Sequence, residues 1–177
     1  MSLTFQLIES LNLQIIMREV SLKSIDKAIE IIDNLNDDKL ETITKNYANK
    51  QPTLLSYLMT ATEDYQNDNL SGYIIYYFCL VMSAFENENI KLREVNLNEI
   101  EEIEDDFTNM LNDYFDTEDI EILESFSEQT SLVQFILIEL STEDDDGSTI
   151  DEETLTQMFI VFISMISILN KAIQDEN

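Results

Sequence analysis

Residues 98–115 read NEIEEIEDDFTNMLNDYF, and their spacing decides the fold. Ile100, Ile103, Phe107, Met110, Leu111, Tyr114 and Phe115 recur three and four residues apart, which puts them on one face of an α-helix. Glu101, Glu102, Asp105, Asp106, Asn109 and Asp113 fall on the other face. The stretch predicts an amphipathic helix with one side for a core and one side covered in carboxylates.

The same rhythm runs outward in both directions. Toward the N-terminus, Phe5, Leu7, Ile8, Leu11, Ile15 and Ile16 predict a helix over 4–19, partly extended near Val20. Ser24 is placed to cap a helix bearing Ile25, Ala28, Ile29, Ile32 and Leu35, which Asn36-Asp37-Asp38 breaks before Leu40, Ile43 and Tyr47 begin another. Pro52 reads as a first-turn proline, since the N–H it lacks has no helical partner there. After a loop at 67–69, residues 70–86 form a strongly apolar helix. Toward the C-terminus, short helices are expected at about 118–127 and 130–140. A longer one at about 150–173 would be opened by Thr149 and Glu152 as a capping box. Residues 87–97 suit a short extended segment, and mark the one plausible internal boundary.

Two glycines and one proline in 177 residues are too few for the turns of a sheet fold, and a lone cysteine forms no internal disulfide. The expectation is a single all-α domain: a bundle of about six to eight helices around two apolar central helices, near 70–86 and 150–173. The second of these is uncharged from Thr154 to Asn170. Gln157, Ser164, Ser167 and Asn170 interrupt it and no basic cluster flanks it, so it reads as a buried core helix rather than a membrane span. With no basic leader at the start, a cytoplasmic location is expected.

Charge narrows the function classes. The chain has 37 acidic and 9 basic residues and no histidine. Residues 1–93 hold 13 acids and 8 bases, whereas residues 94–177 hold 24 acids and 1 base. Such a surface repels nucleic acid and anionic membrane and attracts cations and basic proteins. The helix dipole favours Glu99, Glu101 and Glu102 in the first turns of the 98–115 helix. It disfavours Asp113 and Asp116 at the other end, and Glu101/Asp105 and Glu102/Asp106 are repulsive pairs four residues apart. These acids oppose local stability, which points to a partner. The expected contact set is Glu101, Glu102, Asp105, Asp106, Asp113, Asp116, Glu118, Asp119 and Glu121, binding a basic protein surface. The 22 carboxylates between Glu94 and Asn170 match the phosphates of roughly 37 Å of duplex, so the partner's ordinary ligand could be DNA. A DNA mimic and an immunity-type inhibitor of a basic toxin are the two versions. A housekeeping or structural helical module, possibly a homodimer through residues 155–169, with acidity serving solubility, is the alternative.

Chemistry beyond binding has little support. Without histidine there is no Ser-His-Asp, Cys-His or Glu-x-x-His arrangement, and two isolated glycines build no phosphate loop. No enzyme activity and no cofactor are expected. Cys79, between Phe78 and Leu80, reads as a core thiol. Residues 142–153 resemble a calcium loop in composition, with Asp144, Asp146 and Glu153 as weak metal candidates, but no register satisfies positions 1, 6, 8 and 12 together. Tyr57, Tyr65, Tyr73, Tyr76 and Tyr77 are an aromatic concentration that serves either packing or a partner.

Overall fold

The computed structural model describes residues 19–142 and 150–174. The helix expected over 4–19 falls almost wholly outside the described residues, as does the acidic loop with Asp144 and Asp146. Within them the chain is an all-α bundle of eight helices: α1 Leu22–Asp33, α2 Asp37–Lys50, α3 Pro52–Asp64, α4 Leu70–Asn87, α5 Leu97–Thr117, α6 Ile120–Ser127, α7 Thr130–Ser141 and α8 Glu152–Lys171.

The two apolar helices are central, as predicted. Fourteen of the 20 residues of α8 are buried, on every side of the helix, which explains why its middle carries no charge. It is long and apolar enough to cross a membrane, but those apolar residues are spent inside the bundle. Between 155 and 169 every side chain is buried except those of Leu155, Thr156 and Ile160. Helix α4 lies against α8, with the Tyr77 and Phe162 rings 4.4 Å apart. Helices α1, α2 and α3 pack on α4, while α5, α6 and α7 pack on α8. Buried side chains from both halves form one core.

Two caps differ from the sequence reading. Helix α1 is capped by Ser21, whose hydroxyl accepts from the Ser24 N–H, so Ser24 sits buried in the first turn. A tertiary contact decides between the two serines: the Ser21 hydroxyl and N–H both donate to Glu88 Oε2, at 2.5 and 2.9 Å. Helix α8 is capped by Asp151, which accepts from the Thr154 N–H and hydroxyl, so it starts later than a Thr149–Glu152 box would require. That places Glu152 and Glu153 in the first turn, where the dipole favours them.

Partial burial works to raise the Glu88 carboxyl, but the bonds from Ser21 win and hold it below its ordinary 4.5. A depressed carboxyl stabilises the fold above its unfolded value, and that stabilisation is lost as pH falls through the folded value. Ser21→Ala is therefore expected to cost about 1 kcal/mol or more in urea unfolding at pH 7. The cost shrinks toward the cap contribution alone as pH falls through the lowered Glu88 value. A cost independent of pH would show that Glu88 takes no part.

The extended stretch is shorter than the 87–97 expected: Asn87 ends α4, Glu88 and Asn89 turn, Leu97 already opens α5, and residues 90–96 between them carry an antiparallel bridge from Leu92 to Ile173. The Arg93 N–H donates to the Ala172 carbonyl and the Gln174 N–H to the Lys91 carbonyl, each at 2.9 Å. The segment where the charge composition changes is thus tied to the end of α8. Asn96 and Glu99 then form a reciprocal capping box that opens α5.

Candidate partner-binding surface

Helix α5 spans 21 residues, about 31 Å. Ile100, Phe107 and Met110 are buried, and Ile103, Leu111 and Tyr114 lie half-buried beside them. All nine carboxylates of the predicted contact set are exposed. Helical geometry then sorts them. At 100° per residue, Glu102, Asp106 and Asp113 share the flank that faces α6, while Glu101, Asp105 and Asp116 share the outward ridge. Glu118 and Asp119 make the corner into α6, and Glu121 stands in its first turn.

The α5–α6 corner brings four of the nine together. Asp106 and Asp113 from α5, with Asp119 at the N-cap of α6 and Glu121 in its first turn, line an open groove of about 700 Å³. Met110, Ile122 and Phe126 line it between them, with Asn109 and Ser125 as neutral polar neighbours. Phe126 also meets Phe107, rings 6.0 Å apart, which joins the two helices beneath the groove. Glu101, Glu102, Asp105, Asp116 and Glu118 are not part of this groove.

Residues 97–127 contain twelve carboxylates and no lysine or arginine. The base closest in sequence is Arg93, paired with Glu99 at 2.5 Å where α5 begins. On α1 and α2 the signs are mixed, with Lys45 paired to Glu41 and Lys50 to Glu86. The asymmetry of the sequence is therefore an asymmetry of the surface.

The corner is built against local stability. Asp113 and Asp116 sit near the C-terminal end of α5, where no basic residue answers the dipole. Glu118 closes the helix in the left-handed conformation, φ 55°, which costs an L-residue roughly 1–2 kcal/mol. Glu118→Gly is expected to raise unfolding free energy by about 1 kcal/mol in urea titration. A loss of stability instead would place Glu118 in a structural contact.

Phe115 is 50% exposed, contrary to its place on the predicted core face. Its angle explains this: it lies about 60° from Ile100, on the side away from Phe107 and Met110. It leans on Tyr114 and Phe159 and leaves half its surface free. The wheel angle was the signal for it.

The other predicted features separate. Tyr77 is buried, and Tyr76 donates to Asp33 Oδ1 at 2.7 Å, tying α4 to α1. Burial and the Asp33 bond push that phenol well above its ordinary value. Tyr47 does the same for α2 and α4 through Glu86. Cys79 is buried with its sulfur 3.3 Å from Thr44 Oγ1, and burial raises its pKa, which disfavours the thiolate. Of the metal candidates, Glu153 is described, and it accepts from Gln157 Nε2. Among the described residues no three carboxylate or thiol groups gather as a metal would need.

Comparison of the chain with protein-family models, with curated proteins and with solved structures returned no match.

Proposed function

We propose that this chain is a non-enzymatic acidic interaction protein that docks a basic protein surface on the α5–α6 layer. The observation that carries the reading is the pairing of charge with shape. Twelve carboxylates without a base cover residues 97–127, and four of them border a groove with apolar side chains between them. Solubility alone calls for charge but not for Met110, Ile122 and Phe126 beneath it. Nor does it call for Phe115 and Ile120 exposed at the corner.

The mechanism is electrostatic steering followed by apolar contact. A uniformly signed surface raises association rates toward about 10⁸ M⁻¹s⁻¹ at low salt, and exposed aromatic side chains then hold the partner. The charge spacing favours the immunity-type inhibitor over the DNA mimic. Phosphates recur about every 3.4 Å along each strand of a duplex. Here six acids crowd 99–106 and five more fall in 113–121, with Thr108, Asn109 and Asn112 between.

The test is affinity capture at about 50 mM salt with a salt-gradient elution. It compares the native chain with the D106N/D113N/D119N/E121Q variant. One stoichiometric basic protein held by the native chain and lost by the variant supports docking in the groove. A mixture of basic proteins leaving both columns together at modest salt overturns it and leaves the acidity to solubility.

A further inference from the structure

On the flank of α5 away from the groove, a second cavity of about 220 Å³ opens where α3, α5 and α8 meet. Its walls follow from spacing. Tyr57 on α3 and Tyr65 at its C-cap stand eight residues apart, with Ala61 midway between them. The alanine leaves the space that a larger side chain would fill. Phe107 closes the α5 side and Ser164 of α8 lies on the wall, 6% exposed and facing the Tyr57 phenol. Asp64 and Glu104 complete the lining as exposed carboxylates.

We infer that this cavity binds an alkylammonium head group, either free or carried on a lysine side chain. Three aromatic residues with two carboxylates are the chemistry that recognises such a cation. The negative face of a ring attracts a diffuse positive charge, more strongly when the site is partly desolvated. The carboxylates add field without a competing cation, since no lysine or arginine lines the cavity. The Tyr57 hydroxyl feels that field: burial first, and then Glu104 and Asp64, raise its pKa, so the phenol stays neutral and keeps its proton. The volume lies below the roughly 300–1,000 Å³ of drug-sized pockets, which limits the ligand to a compact head. An anion would meet two carboxylates, and a neutral ligand would gain nothing from them. The inference stands apart from the docking reading, because it uses none of the groove's residues.

The experiment is a titration followed by two-dimensional NMR of the full chain, with ionic strength held constant by NaCl. The probes are choline and its neutral isostere 3,3-dimethylbutanol. Choline is expected to shift signals of Tyr57, Tyr65 and Phe107 saturably, with the isostere binding about 10-fold more weakly. Glu104→Gln and Tyr65→Leu, both at exposed positions, should each weaken choline several-fold while leaving the rest of the spectrum in place. Nα-acetyl-lysine methylamide, with and without trimethylation, separates the sources: tighter binding than choline assigns the site to a protein's lysine, and weaker binding to a free amine. Equal affinity for choline and the isostere, or cation shifts spread over all the surface carboxylates, would overturn the site.

Discussion

Replacing Gln129 with leucine is expected to lower the free energy of unfolding by about 2–5 kcal/mol, the largest effect of any single polar side chain here. Gln129 is 0% exposed. Its Oε1 accepts from the Val20 N–H and its Nε2 donates to Asn170 Oδ1, both at 2.9 Å. The Asn170 amide passes the network to Glu128 Oε2 at 3.1 Å. One side chain thus joins the approach to α1, the start of α7 and the end of α8. Leucine fills similar space, so the cost arises from desolvated partners and not from a cavity. Each buried group left without a bond costs about 1–3 kcal/mol. Gln51, 1% exposed, is the companion case: it donates to the Arg93 carbonyl at 2.7 Å and accepts from the Val95 N–H at 2.9 Å. Gln51→Leu should fall in the same range, while Gln134→Leu, which loses an exposed bond to Glu124, should stay within about 0.5 kcal/mol. Urea unfolding of the three variants tests this. With a typical stability of about 5–15 kcal/mol, either buried change removes a large share of the total. A change below about 1 kcal/mol would mean that water takes the glutamine's place.

Those two glutamines show where sequence reading stops. Glutamine is usually exposed, and nothing beside Gln51 or Gln129 marks them as buried. Their partners lie far along the chain, 42 to 44 residues away for Gln51 and 109 for the bond from Val20 to Gln129. By contrast, the faces of α5 and α8 were legible because period and composition are local properties. The caps sit between these cases. Ser21 and Ser24 are equivalent by composition, and the choice between them rests on Glu88, which folding brings alongside. The same holds for the surface. Sequence marks the nine carboxylates, but the turn at Glu118 and Asp119 selects Asp106, Asp113, Asp119 and Glu121 to share one groove. The cavity under Tyr57 needs α3, α5 and α8 to converge, and no local pattern encodes that meeting.

The acidic groove should trade stability for association, and one variant measures both. D106N/D113N/D119N/E121Q is expected to be more stable than the native chain by about 1 kcal/mol at low ionic strength. Asp106 loses its repulsion with Glu102, and Asp113 its clash with the C-terminal dipole of α5. Asp119 caps α6 by accepting from the Glu121 N–H at 3.0 Å, and asparagine keeps that bond. The N-terminus of α6 favours the charges of both Asp119 and Glu121, so these two changes return a few tenths of a kcal/mol each. The gain should fade by about 1 M salt, where the Debye length falls to roughly 3 Å. Association with a basic partner should move the opposite way, slowing about 10-fold or more at low salt and converging with the native rate as salt rises. A variant less stable than the native chain at low salt would mean that these carboxylates hold the fold together. A variant of equal association rate would remove the groove from the docking surface and leave Glu101, Asp105 and Asp116 on the outward ridge to carry it.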